Sequence, residues 1–178
     1  MPNLHPLIVH FPIALIIVVA MCDFIVIMTA RKSFSQAATI VAVFAALGAI
    51  TAVITGLLAA DSVWHPEAAH ELVETHETVG FVFLGLVIIL AVFRLAAGDR
   101  IHGRFKWIGL FIALAASGVV AYGSYLGGEM VYTHGAGVKQ AESSVAKADS
   151  LTIELNKLRA VDLEEDEEEI KEEHEHHH

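Results

Sequence analysis

Seven histidines, His5, His10, His65, His70, His76, His102 and His134, punctuate a chain with little other polar chemistry to offer. Imidazole is the commonest metal ligand and the side chain that titrates nearest neutral pH, so the chemistry of this chain starts with them. Four more close the sequence in the run His174-Glu175-His176-His177-His178. That run is read equally well as a weak metal binder or a purification remnant, and it carries no functional weight.

His10 is the most telling. It lies inside an apolar stretch, roughly 5 Å below its start at 1.5 Å per residue, and Pro12 just beyond it removes a helical hydrogen bond and is expected to kink the first turn. A polar side chain inside a membrane-length segment is a site candidate by default. The structural alternative is a ring bonded to a carbonyl freed by the proline. His5 and His65 each precede a proline, a favoured first helical residue, and read as caps or interfacial residues more readily than as ligands. Pro66 can start a long helix that raises His70 and His76 into the same interface. Those two are six positions apart, about 240° around a helix, so one helix cannot turn both toward one metal. A bundle site takes one histidine from each of two facing helices. By depth, His10 with His76 is the expected pair of ligands, to haem iron or another metal. His134 and His70 supply a second pair or a hydrogen-bonding shell, and His5 completes the candidate cofactor-binding set. Glu129 and Tyr132 near the end of the last apolar segment are expected to orient a ring from behind. The bland reading makes Glu129 a solvated interface carboxylate, and His70 and His76 interfacial histidines among surface glutamates.

The elements that must position these residues are long and apolar. The 178 residues are 55% hydrophobic with mean hydropathy +0.59, and only 18% are charged. About 20 apolar residues cross a bilayer core, and four segments qualify: 7–29, 37–60, 78–97 and 107–126. No Lys or Arg precedes the first, which therefore does not read as a cleavable leader. Arg31 and Lys32 follow span one; Arg94, Arg100, Arg104 and Lys106 lie at the end of span three and in the loop after it. The other loops carry no Lys or Arg. That asymmetry places the basic loops in the cytoplasm, with both termini and the loop bearing Glu67, Glu71 and Glu74 outside, the periplasm in a diderm bacterium. Six of the seven histidines then gather at one membrane face; His102 is the exception.

The expected architecture is all-α: an integral membrane up-down four-helix bundle over 1–137, with short connections between antiparallel neighbours. Gly48, Thr51, Thr55 and Gly56 in span two, and Ala115, Ala116, Gly118 and Gly123 in span four, are small enough for close helix approach. Asp23 and Arg94 are expected to form an intramembrane ion pair, a reading favoured over a proton relay. Cys22, alone in the sequence, excludes an internal disulfide framework and any cysteine-based zinc or c-type haem site. Beyond the bundle, Val145, Ala148, Leu151, Leu155 and Leu158 mark a short amphipathic helix over 138–161, a self-association or docking element. The acidic/His tail over 162–178 is expected to be disordered. Residues 139–178 hold 13 of the 21 carboxylates, so the net charge of −10 belongs to the tail.

Two stretches resemble a known family. LHPLIVHFPIAL at 4–15 and GSYLGGEMVYTHGAGV at 123–138 resemble the two signatures of the bacterial membrane family called domain of unknown function 2231, and His76-Glu77-Thr78-Val79-Gly80 resembles its third-helix signature. The resemblance covers nearly all of 4–138 and leaves out the tail. Members are described as four-helix membrane domains, sometimes fused to Rieske iron–sulfur or c-type cytochrome modules. The resemblance therefore implies redox work at the outer face, with His5, His10, His76 and His134 as the implied functional residues.

Three functions follow. The first is a b-type haem electron-transfer subunit of the bacterial inner membrane. Small residues such as Gly127 and Gly128 would make room for the porphyrin, Tyr125 and Tyr132 would meet propionates, and a quinone or periplasmic cytochrome would be the redox partner. The second is a non-haem copper, zinc or iron site built from imidazoles and Glu129. The third is a cofactor-free accessory or assembly subunit of a membrane complex or homo-oligomer, its acidic tail docking a partner. No internal repeat of interrupted helices points to a transporter, and no nucleophile elbow, zinc-protease helix or phosphate loop points to a hydrolase. Nothing points to nucleic acid. An enzymatic activity is less expected than electron transfer or an accessory role.

Overall fold

The apolar segments do become helices, and each helix runs further than its apolar block. The computed structural model describes residues 4–62, 67–98, 104–136, 143–157 and 159. Four long helices, α1 (His5–Thr29), α2 (Lys32–Ser62), α3 (His70–Ala97) and α4 (Arg104–Tyr132), follow one another, with one 3-10 turn at Glu67–Ala69 ahead of α3. All four are long and apolar enough to cross a membrane. At 25 to 31 residues each, they exceed the roughly 20 residues the hydrocarbon core needs. Their polar ends therefore continue the helices past the apolar blocks, which is why the spans read from hydropathy were too short. Most visibly, α3 begins at His70, ahead of the apolar block at Thr78 and in keeping with a long helix started near Pro66, so His76 is well inside it.

Each helix buries a narrow stripe. On α1 the buried positions are Pro12, Ile16, Val19, Ala20, Asp23 and Val26, steps of three and four along one face. On α2 the stripe is alanine: Ala38, Ala42, Ala45, Ala49 and Ala52. Lipid gives helices no hydrophobic reason to associate, so close backbone approach through small residues does that work. On the remaining faces large apolar side chains such as Phe24, Phe44, Ile89 and Phe111 point outward, where acyl chains would cover them. α1 and α3 each pack against α2 and α4, which makes an antiparallel up-down bundle. The chain is an all-α integral membrane bundle.

Two local features refine the reading. α1 runs through Pro12 as one continuous helix, with Pro12 and Phe11 seated where a side chain at Gly48 would be. Of the small residues singled out, Gly48, Gly56 and Gly123 face neighbouring side chains, whereas Gly118 has nothing beside it and Thr51 faces outward. α1 ends on Ala30, whose left-handed φ of 52° turns its amide back to the Val26 carbonyl, and α2 starts two residues later. Residues 137–178 form a second unit. Within it 143–157 are helical, with every side chain exposed. The expected ends of that helix, the acidic run from Asp162, His65 and His102 lie outside the described residues.

Candidate functional site

Two polar centres lie between α1 and α3, one near each end of the bundle. The first is built on the buried stripe of α1. Seven residues is nearly two turns, so stepping back from Val19 through Pro12 leads to His5. His5 accordingly turns inward, toward the end of α2. Its Nδ1 lies 3.0 Å from the Ala52 carbonyl oxygen and 3.4 Å from Thr55 Oγ1. A carbonyl only accepts, so Nδ1 carries the proton and Nε2 is left with the lone pair. Gly56 makes the approach possible: a Cβ there would lie 3.1 Å from His5 Cε1.

The same stepping on α3 runs from Leu90 through Phe83, both buried, to His76. Its ring is hydrogen-bonded to the Gly123 backbone of α4 and packs against Gly127, where a Cβ would lie 3.4 Å from His76 Cε1. The two imidazole rings meet edge-on, with centroids 6.3 Å apart and planes 87° apart. His76 Nδ1 is buried and has no hydrogen-bond partner among the described residues. An unmet buried polar atom costs about 1–3 kcal/mol, so it marks a place that packing alone does not account for.

The other sequence candidates are placed differently. His10 is exposed and its Nδ1 donates to the Pro6 carbonyl one turn back. His76 is therefore paired with His5, not with His10. His10 shares a face with Ile17 and Phe24, both outward-facing, because five residues past His5 is about 140° around the helix. The carbonyl it engages belongs to Pro6, not the one freed by Pro12. His70 is exposed, 3.5 Å from Glu74. His134 lies in the turn that closes α4, where the amides of Gly135 and Ala136 return to Val131 and Met130 carbonyls; it takes no part in the ring contact. Glu129 and Tyr132 line a shallow outward groove with Ser124, Tyr125, Gly128 and Thr133, and Glu129 is bonded to Tyr125. Two residues on from Gly127 is about 200° around α4, so Glu129 stands on the far side of the helix from His76. Sequence reasoning underrated His5 and Gly56, and the heptad steps from the buried stripe were the signal that would have found them.

The second centre is an ion pair. Arg94 Nη1 donates to Asp23 Oδ1 at 2.6 Å, and Nη2 donates to the Ser35 carbonyl at 3.0 Å. Arg94 is 0% and Asp23 2% exposed. On α4, a Cβ at Gly109 would lie 3.2 Å from Arg94 Nη1 and 3.4 Å from Asp23 Oδ2. All four helices therefore meet at this clasp. Charges this deep survive only when paired.

The amino-terminal His-Pro stretch, the α3 histidine and the glycine-rich end of α4 that carry the sequence signatures thus come together at one end. The chain belongs to the family described as Predicted membrane protein (DUF2231). That family covers residues 1–140, so the membership includes the whole bundle and both polar centres and excludes the tail helix. The family's description asserts a membrane protein and no activity. No curated protein and no solved structure matches the chain.

Proposed function

We propose that this protein is a redox subunit of the bacterial inner membrane in which His5 and His76 hold one b-type haem. The observation that carries the reading is the inward-facing imidazole pair across the α1–α3 diagonal. A metal–imidazole bond is about 2 Å. Two such bonds, with the ring radii added, set opposed imidazole centroids roughly 6 Å apart, close to the 6.3 Å seen. The donor set also fits. His5 is anchored through Nδ1–H on a backbone carbonyl of α2, the arrangement that fixes tautomer and orientation in histidine ligands, and His76 is held by the Gly123 backbone with its Nδ1 unmet among the described residues. Gly56 and Gly127 keep side chains away from both rings.

A haem needs two axial ligands at most, whereas a non-haem copper, zinc or iron site needs three or more protein ligands. Among the described residues no group of three or more His, Cys, Asp or Glu side chains is placed to hold an ion, so two imidazoles suit haem better. When bound, haem b would supply one-electron transfer at this end of the bundle. The residues of the chain then orient the rings, exclude water with the buried stripe below them, and lock the far end with the Asp23–Arg94 clasp. The lysine and arginine asymmetry of the loops supports an orientation with this end, and both termini, outside. A quinone in the bilayer or a periplasmic redox protein is the matching partner.

The test is the reduced-minus-oxidised absorbance spectrum of the full chain purified in detergent. Sharp low-spin haem bands are expected, lost in His5→Ala and in His76→Ala and kept in His10→Ala. Purification without a chromophore, and no uptake of added haemin, would leave the cofactor-free accessory role in its place.

A further inference from the structure

We infer that the tail helix is a dimerisation element, pairing in parallel with the same helix of a second copy of this chain. The observation is a helix whose apolar side chains are covered by nothing among the described residues of its own unit. Every residue of 143–157 is exposed, including Val145, Leu151, Ile153 and Leu155 at 44%, 52%, 58% and 60%. An isolated helix of this length is marginal in water.

The spacing selects the partner. With Ala148 and Leu155 at position a of a heptad, Leu151 falls at d, and in the sequence Ala141, Ser144 and Leu158 continue the same a and d series. Apolar a and d positions form the seam of a two-helix coiled coil. Val145 falls at e and widens the seam. The charges agree with a second copy in parallel. In a parallel pair a g residue faces the e residue five positions on in the partner. Glu154 at g then faces Arg159 at e of the second copy, on both sides of the two-fold. Lys147 at g faces Thr152 at e, which adds no repulsion. No like-charged g–e pair arises in this register, so the helix complements itself.

Two copies that insert in one bilayer with the same topology present their tails at the same face. Tethering to one surface raises the effective concentration of each helix for the other, which offsets the shortness of a two-and-a-half-heptad seam. This inference does not depend on what the imidazole pair binds.

The experiment uses the full chain in detergent, with the mass of the protein part of the particle measured by light scattering. Two copies are expected for the natural sequence and one for Leu151→Glu/Leu155→Glu. Glu154→Arg, which sets Arg against Arg159, is expected to give one copy, and Glu154→Arg/Arg159→Glu to restore two. In a Cys22→Ala background, Leu151→Cys is expected to form an intermolecular disulfide on mild oxidation, while Ile153→Cys, at f on the outside, is not. A single copy for the natural sequence overturns the inference. So does a dimer that survives Leu151→Glu/Leu155→Glu, which would put the contact in the spans, or equal cross-linking of both cysteine variants.

Discussion

The two ends of the bundle are built on the same plan. In each, a polar residue of α1 faces a polar residue of α3, glycine on α4 opens the space, and backbone on α2 accepts a hydrogen bond. At one end Arg94 meets Asp23 Oδ1 at 2.6 Å and the Ser35 carbonyl at 3.0 Å. At the other, His5 is anchored to Ala52 and His76 to the Gly123 backbone, and among the described residues His76 Nδ1 meets no partner, as Asp23 Oδ2 and Arg94 Nε meet none at the first end. The difference separates two uses of buried polarity. A charge pair inside the membrane has its main interaction within the chain and acts on the fold. The imidazole pair carries no such charge pairing, and the ligand role proposed for it makes use of the one ring nitrogen, His76 Nδ1, left unmet among the described residues.

The largest effect expected from this contrast is at the ion pair. Asp23→Leu or Arg94→Met alone strands a buried charge and is expected to destabilise the bundle by about 3–5 kcal/mol. Asp23→Leu/Arg94→Met together should recover most of that loss, because an apolar pair of similar volume carries no desolvation cost. Unfolding measured in mixed micelles gives both values, and two single losses that simply add in the double variant would remove the clasp from the account.

The glycines sharpen the same contrast at intermediate size. Gly109→Ala pushes a methyl against a guanidinium and a carboxylate that hydrogen bonds hold in place, at a cost of about 1–3 kcal/mol. Gly56→Ala meets the ring of His5 at 3.1 Å, near the start of α1, where the ring can tilt away. Its cost in stability is expected to be below about 1 kcal/mol, with the damage appearing instead as weakened haem retention. Equal losses of stability at the two sites would contradict the distinction.

The smallest effect has the opposite sign. His76→Leu replaces a ring with an unmet buried nitrogen, and in cofactor-free protein it is expected to raise stability by roughly 1 kcal/mol. Residues arranged for a ligand commonly carry such a cost. A clear loss of stability in His76→Leu would mean that the ring is a packing element after all.

Much of this was legible in the residues. Four apolar blocks give four spans because hydropathy and length are local properties. Asp23 and Arg94 could be matched because only one carboxylate and one guanidinium lie within those blocks. Depth, read at 1.5 Å per residue, put His10 and His76 at one end, and depth was not enough. Which face a residue occupies depends on where the buried stripe runs. On α1 that stripe is hard to see, because the helix is apolar all round and lipid accepts what a soluble core would reject. Pro12 and Asp23 mark the stripe, and counting seven back from Pro12 leads to His5. The start of α2 was missed for the opposite reason: its polar first turn continues a helix that hydropathy does not register, whereas Pro66 marked the early start of the helix that becomes α3. The shared space of Gly56 and Gly127 with the rings is a tertiary fact with no local signature.

The central claim is that His5 and His76 act as one ligand pair. Haemin titrated into the purified full chain, followed by absorbance, tests it most directly. The account predicts saturation at one haem per chain in the natural protein and in His10→Ala, and no saturable low-spin species in His5→Ala or His76→Ala. Unchanged binding in His5→Ala, or its loss in His10→Ala alone, would contradict it.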